Sequence, residues 1–141
     1  MPRPGAFPAD DRFRASFSKD DLLSRVGGSE ELMREVIGLF IDDAPRLLED
    51  IRAKVAAGDG PAIYRATHAL KGAAGNFGAQ PLLNVAQRLE ARALEGDITT
   101  SATVFAALEA EVHALVLELA DEQSASGLGG PRVEHLRELA H

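Results

Sequence analysis

The feature that most limits the fold of this 141-residue chain is a spacing: apolar residues recur three or four positions apart over long stretches. This period places them on one face of an α-helix. The longest such run comprises Leu32, Val36, Phe40, Ala44, Leu47, Ile51 and Val55. Aromatic residues make up only 5% of the chain, and their scarcity favours helix over strand. We therefore expect an all-α protein whose helices bury these faces against one another.

Residues that start or stop helices divide the chain into five helical segments. Helix stops are expected at glycine-containing turns, which are Gly27-Gly28, Gly58-Asp59-Gly60, Gly78 and Gly96-Asp97. Helix starts are expected at Ser18, Ser29, Pro61 and Pro81, with Thr99, Thr100 or Ser101 capping the last helix. The predicted helices cover 18–26, 29–57, 61–76, 81–95 and 99–122. Because short connections make consecutive helices antiparallel neighbours, we predict an up-and-down antiparallel four-helix bundle with a short N-terminal capping helix.

The composition argues against several functional classes. A formal net charge of −7 disfavours nucleic acid as a partner, since binding to phosphates needs clustered Lys and Arg. The absence of cysteine removes disulfides and thiolate metal sites. Residues 1–5 do not begin an apolar targeting segment, and no run reaches the ~20 apolar residues of a membrane span. We expect a cytoplasmic monomer that binds neither nucleic acid nor membrane and needs no metal or cofactor of its own.

The two ends of the chain differ in composition from the middle. Residues 1–17, with three prolines among the first nine positions, are predicted to be a flexible leader. Residues 18–122 form the predicted bundle. Residues 123–131 are rich in Gly and Ser, as expected for a linker. Residues 132–141 are predicted to be a short helical tail, which needs docking to be stable.

His68 lies on the polar side of the third predicted helix. Steps of three and four residues put Tyr64, Lys71, Gly72 and Gly75 on the same side. The opposite side carries an apolar stripe of Ile63, Ala66, Thr67, Leu70, Ala74 and Phe77. Glycine inside a helix costs about 1 kcal/mol relative to alanine, and here that cost falls twice beside the histidine. Since glycine is favoured where another backbone must come close, we interpret this face as a docking surface around an accessible His68.

The segment His68-x-Leu70-Lys71-Gly72, followed by Gly78, resembles the signature of histidine-containing phosphotransfer (HPt) domains. The likeness continues upstream through 40–48 and downstream to Glu90, over about half of the chain. It implies a helical bundle that carries a phosphoryl group between response-regulator receiver domains in a two-component phosphorelay. It also implies that His68 is the phosphoryl-accepting residue.

The resemblance implies supporting roles for residues around His68. The Lys71 ammonium, one turn away, would pair with the arriving oxyanion, and Gly72 and Gly75 would let the receiver approach. Tyr64 is expected to support docking. Some related domains have a glutamine where Glu90 stands, near the phosphate. Whether Gln87, one turn earlier, takes that role here is left open.

A neutral imidazole nitrogen attacks phosphorus without a general base, and we identify no second acid or base for this site in the sequence. The chain would be a phosphoryl carrier and not an enzyme, and the resemblance implies that charge neutralisation and Mg²⁺ come from the receiver. Receiver domains are the expected partners, and a hybrid histidine kinase is left open as a further partner. The chain is expected to be a stand-alone carrier or a piece of such a kinase.

A competing hypothesis from another class is a helical adaptor or dimerisation module that is never phosphorylated. In that case His68 is an incidental surface residue. His113, His135 and His141 are interpreted as ordinary side chains, because they share no metal-ligand spacing with each other or with His68.

Overall fold

The computed structural model describes residues 17–125, which form five α-helices and no β-strand. The helices are α1 Lys19–Arg25, α2 Glu30–Ala57, α3 Gly60–Ala74, α4 Gln80–Leu94 and α5 Ile98–Ala125. A 3₁₀ turn, Gly75–Phe77, continues α3. The all-α prediction is confirmed. The predictions for residues 1–16 and 126–141, which include His135 and His141, lie outside the described residues.

Helices α1 and α2 begin where a serine side chain accepts a hydrogen bond from a free backbone N–H group. The Ser18 hydroxyl accepts from the backbone N–H of Asp21, and the Ser29 hydroxyl accepts from that of Leu32. Both predicted caps are therefore confirmed. Gly58 ends α2 in the left-handed conformation, with φ of 68°, which glycine adopts without a steric penalty.

The cap of α5 was predicted wrongly. The helix begins at Ile98, and its cap is Asp97, whose carboxylate accepts from the backbone N–H of Thr100 at 3.1 Å. Threonine and serine at 99–101 matched the capping preference, but Asp97 stands just before them and is a stronger N-cap than threonine. The C-terminal end also differs, since α5 continues to Ala125 and not to 122.

The four long helices form a closed ring of neighbours around one hydrophobic core. Helix α2 packs against α3 and α5, and α4 packs against the same two helices. Helices α2 and α5 are antiparallel, since Gln123 donates to the carbonyl of Arg34 near one end and Arg52 pairs with Glu109 towards the other. This arrangement confirms the predicted up-and-down bundle.

At several positions of α2, the residue that faces the core is the neighbour of the residue predicted to face it. Phe40, Ala44 and Ile51 are buried as expected. Leu32 is instead 44% exposed, and the remaining inward positions are taken by Met33, Ile37 and Leu48. Adjacent apolar residues such as 32–33, 36–37 and 47–48 give two possible stripes, and packing against the other helices selects between them.

Helix α1 covers the end of the bundle at which α3 finishes. The backbone N–H of Ser18 donates to the carbonyl of Phe77 at 3.0 Å, and Leu22 is fully buried in the core. Phe77 also contacts the Phe40 ring, with centroids 5.1 Å apart. The predicted capping helix is thus part of the same core, and it fixes the C-terminal end of the helix that carries His68.

Candidate functional site

Helix α3 exposes His68 and buries the stripe opposite it. Ile63, Thr67, Leu70 and Ala74 are all buried, so the core fixes the rotation of α3 about its axis. His68 then points outwards, and its side chain is 60% exposed. Its imidazole is therefore accessible to another protein.

Glu90 of α4 binds both polar side chains of this face. One carboxylate oxygen, Oε2, lies 2.9 Å from Nδ1 of His68, and the other, Oε1, accepts from Nζ of Lys71 at 2.8 Å. The Glu90 side chain is only 9% exposed. Because a buried carboxylate is stabilised by charged and hydrogen-bonding partners, the three residues form one connected group.

The hydrogen bond with Glu90 determines which nitrogen of His68 carries the proton. A carboxylate only accepts hydrogen bonds, so Nδ1 must donate to it. In the neutral ring the proton on Nδ1 leaves Nε2 with an unshared electron pair. The nitrogen that can act as a nucleophile is therefore Nε2.

The site does hold a second acid or base, which was not identified in the sequence. Glu90 is a carboxylate in direct contact with His68, although it is 22 positions away in sequence. Gln87, the other candidate on α4, is exposed one turn earlier, and the contact with His68 is made by Glu90. One signal in the sequence pointed to this contact. Glu90 directly follows the buried Leu89, and a carboxylate that faces inwards is rarely buried without a partner.

Tyr64 lies one turn before His68 and stacks against it. The ring centroids are 5.7 Å apart and the planes are inclined by 17°, a distance within the range of offset aromatic stacking. Tyr64 is partly exposed. The imidazole is therefore held on one face by a ring and on one edge by a carboxylate.

Gly72 and Gly75 leave the surface beside His68 and Lys71 flat. A Cβ atom added at either position would meet nothing within 4 Å, and neither residue has a positive φ. Among the nine glycines of residues 17–125, these two are the ones with neither constraint. The fold of the described residues therefore gives no reason for glycine at these positions.

Three further observations concern the rest of the described chain. His113 is exposed on α5. Within residues 17–125, no group of three or more His, Cys, Asp or Glu side chains is arranged to hold a metal ion. In the same part of the chain, no helix is both long and apolar enough to cross a membrane.

Comparisons with known proteins agree with this architecture. Residues 35–118 match the model of the Hpt domain family. Histidine-containing phosphotransfer protein B (HptB) from Pseudomonas aeruginosa PAO1 superimposes with a TM-score of 0.71 at 23% identity, over 77% of this chain and 95% of its own. The HPT domain of a sensor hybrid histidine kinase from Shewanella gives a TM-score of 0.68 at 17% identity, over 79% of this chain and 96% of that domain.

At these identities the two structures show a shared fold, whereas the family follows from the sequence match, which covers more than half of the chain. No curated protein matches the sequence. Hpt domains are phosphoryl carriers that interact with receiver domains and hybrid kinases. The chain belongs to the Hpt domain family, and its role is histidine phosphotransfer in a phosphorelay.

Proposed function

We propose that His68 is the residue that accepts the phosphoryl group from the aspartate of one receiver domain and passes it to another. The observation that carries this proposal is the contact between Nδ1 of His68 and the carboxylate of Glu90, in a side chain that is otherwise 60% exposed. It leaves Nε2 both nucleophilic and accessible.

The transfer step needs no proton to be removed from His68. The Nε2 electron pair attacks the phosphorus of the receiver's aspartyl phosphate, a P–N bond forms, and the P–O bond to the aspartate breaks. The aspartate leaves as a carboxylate. The proton on Nδ1 stays on the ring and continues to donate to Glu90, and the positive ring is balanced by that carboxylate. Transfer to the next receiver reverses these bond changes.

Lys71 has a role in this proposal through its position between two anions. Its ammonium is paired with Glu90 at 2.8 Å and is 24% exposed, so it can turn towards a phosphoryl group on Nε2 without losing all contact with the carboxylate. A charge-assisted contact contributes about 1.5–3 kcal/mol. Lys71→Ala is therefore expected to slow transfer by about ten- to a hundredfold without unfolding the bundle.

The receiver supplies what this chain lacks in the described residues. In the proposal, the receiver's acidic pocket holds the Mg²⁺ that neutralises the phosphoryl charge during transfer. The flat surface at Gly72 and Gly75 admits the loops around that pocket. The same proposal includes a carrier that is cytoplasmic and monomeric, with the leader, linker and tail boundaries predicted from the sequence. It also includes Gln87 as a residue that supports the phosphate.

The test is phosphoryl transfer from a purified, phosphorylated receiver in the presence of Mg²⁺. Wild-type protein is expected to take up label that is labile in acid and stable in base, as a phosphoramidate is. His68→Gln is expected to take up none while keeping its helix content by circular dichroism. His113→Gln, which changes an exposed histidine on α5, is the matched control and should label like the wild type.

The outcome also separates the carrier from the competing adaptor hypothesis. An adaptor predicts that His68→Gln behaves like the wild type in every assay. If the wild-type chain stays unlabelled with all receivers of the source organism, or if His68→Gln is labelled, the assignment of His68 is wrong.

A further inference from the structure

The stacking of Tyr64 on His68 has a consequence for the transfer reaction. An imidazole on an exposed helix face can rotate about two side-chain bonds, and each wrong orientation aims the Nε2 electron pair away from phosphorus. The hydrogen bond to Glu90 fixes the direction of one ring edge. It does not by itself prevent the ring from tilting about that bond.

Tyr64 supplies the missing constraint. Side chains on a helix lean towards its N-terminus, so His68 lies over the residue one turn earlier. That residue is Tyr64, whose ring is inclined by only 17° to the imidazole at a centroid distance of 5.7 Å. One face of the imidazole is therefore covered by the Tyr64 ring, in a side chain that is 60% exposed.

We propose that Tyr64 is a positioning residue for phosphoryl transfer, which holds the plane of the His68 ring so that Nε2 points at the incoming phosphorus. This inference rests on the proposed function of His68. It assigns Tyr64 a role inside the chain, distinct from a contact with the receiver. The aromatic ring carries the role, and the hydroxyl group is not required for it.

The two roles give different kinetic results. If Tyr64 positions His68, Tyr64→Ala lowers the transfer rate at saturating receiver by about tenfold, as expected for a misaligned reacting group, and leaves the affinity for the receiver close to that of the wild type. If Tyr64 only contacts the receiver, the affinity falls and the rate at saturation stays the same. Tyr64→Phe keeps the stacking ring and is expected to restore the wild-type rate.

The ring contact can be measured without any transfer. In nuclear magnetic resonance spectra, the ring current of Tyr64 is expected to shift the carbon-bound ring protons of His68 upfield. The shift should persist in Tyr64→Phe and disappear in Tyr64→Ala. The resonance is assigned by its loss in His68→Gln, and Arg65→Ala, at the exposed neighbouring position, controls for a general change in α3.

Tyrosine fluorescence offers a second way to observe Tyr64. Tyr64 is the single tyrosine of the chain, which has no tryptophan, so tyrosine emission reports on the surroundings of His68. This emission is expected to change when His68 is phosphorylated.

The results separate failure of this inference from failure of the proposed function. Label on the wild type together with full-rate transfer by Tyr64→Ala overturns the positioning role alone. Loss of receiver affinity at an unchanged saturating rate, or failure of Tyr64→Phe to restore the rate, overturns it as well. An unlabelled wild-type protein overturns the assignment of His68 and this inference with it.

Discussion

Both ends of α3 contain glycine, and the surroundings of these glycines are opposite in kind, crowded at one end and open at the other. At the N-terminal end, a Cβ atom on Gly60 would lie 2.3 Å from the carbonyl oxygen of Ala93 in α4. At the C-terminal end, a Cβ on Gly72 or Gly75 would meet no atom of residues 17–125 within 4 Å. Gly60 is therefore explained by packing within the chain. The packing of residues 17–125 does not explain Gly72 and Gly75, and in the proposed function they are explained by the approach of the receiver.

The comparison also shows that the close helix packing and the exposed site lie at different positions along α3. The first turn of α3 packs tightly against the last turn of α4, which fixes the distance between the two helices. That distance allows Glu90, one turn before Ala93 on α4, to reach His68 and Lys71 on α3. The close packing at Gly60 thus supports the geometry of the exposed site.

The largest expected effect comes from Gly60→Ala. Because the clashing atom is a backbone oxygen and not the end of a flexible side chain, α3 and α4 must move apart. Overpacking of this kind costs about 3 kcal/mol. We expect the free energy of unfolding, measured in urea by circular dichroism, to fall by about that amount.

Gly58→Ala is the matched control for this substitution. Gly58 has φ of 68° but no atom within 4 Å of an added Cβ, so the change introduces only the left-handed backbone penalty of about 1–2 kcal/mol. If Gly60→Ala were no more destabilising than Gly58→Ala, the close contact with Ala93 would not be what requires glycine at position 60.

Gly72→Ala and Gly75→Ala test the C-terminal end of α3, and these substitutions are expected to stabilise the fold. Each is expected to raise the free energy of unfolding by about 0.5–1 kcal/mol, because alanine favours the helix and restricts the unfolded chain. Each should also weaken binding of the receiver, and Gly72→Leu should weaken it further, because a larger side chain fills more of the open surface. Affinity can be measured by titration calorimetry with an unphosphorylated receiver.

Stabilised variants that bind and exchange phosphoryl groups like the wild type would contradict the docking role of these two glycines. In that case the difference between the ends of α3 would be one of packing alone.

Much of the fold could be predicted because the signals are local. Ser18 and Ser29 cap helices through backbone groups three residues away, and Gly78 has the positive φ that glycine permits. The phase of α2 was mispredicted at Leu32, where the neighbouring Met33 is equally apolar. Local sequence cannot choose between such neighbours, since the choice depends on which residue meets the facing helices.

The site was predicted only as far as one helix extends. His68, Lys71 and the glycines share a face of α3, so their spacing alone placed them together. Glu90 joins them from another helix, and its contact depends on how α3 and α4 pack. The sequence predicted Gly60 in a turn and Gly72 on a helix face, but it could not show that only at Gly60 does the missing Cβ face the backbone of another helix.

The smallest expected effect is a pH dependence of stability, and it concerns the end of the bundle that contains Gly60. Asp97 follows α4 closely and caps α5, and hydrogen bonds from the Thr100 hydroxyl and then from its backbone N–H lower the pKa of Asp97 below its ordinary value. A carboxyl group whose pKa is lower in the folded than in the unfolded chain stabilises the fold above the unfolded pKa. This contribution is lost as the pH falls through the lowered, folded value.

Asp97→Asn keeps an oxygen that can cap α5 but removes the titration. The variant is expected to be slightly less stable than the wild type at pH 7, and the difference between the two proteins should vanish as the pH falls below the ordinary range of aspartate. Urea unfolding of both proteins from pH 7 to pH 2.5 measures this difference. Since every other ionisable group is the same in both proteins, only the difference reports on Asp97. A difference that stays constant with pH would show that the titration of Asp97 at this cap does not contribute to the acid sensitivity of the bundle.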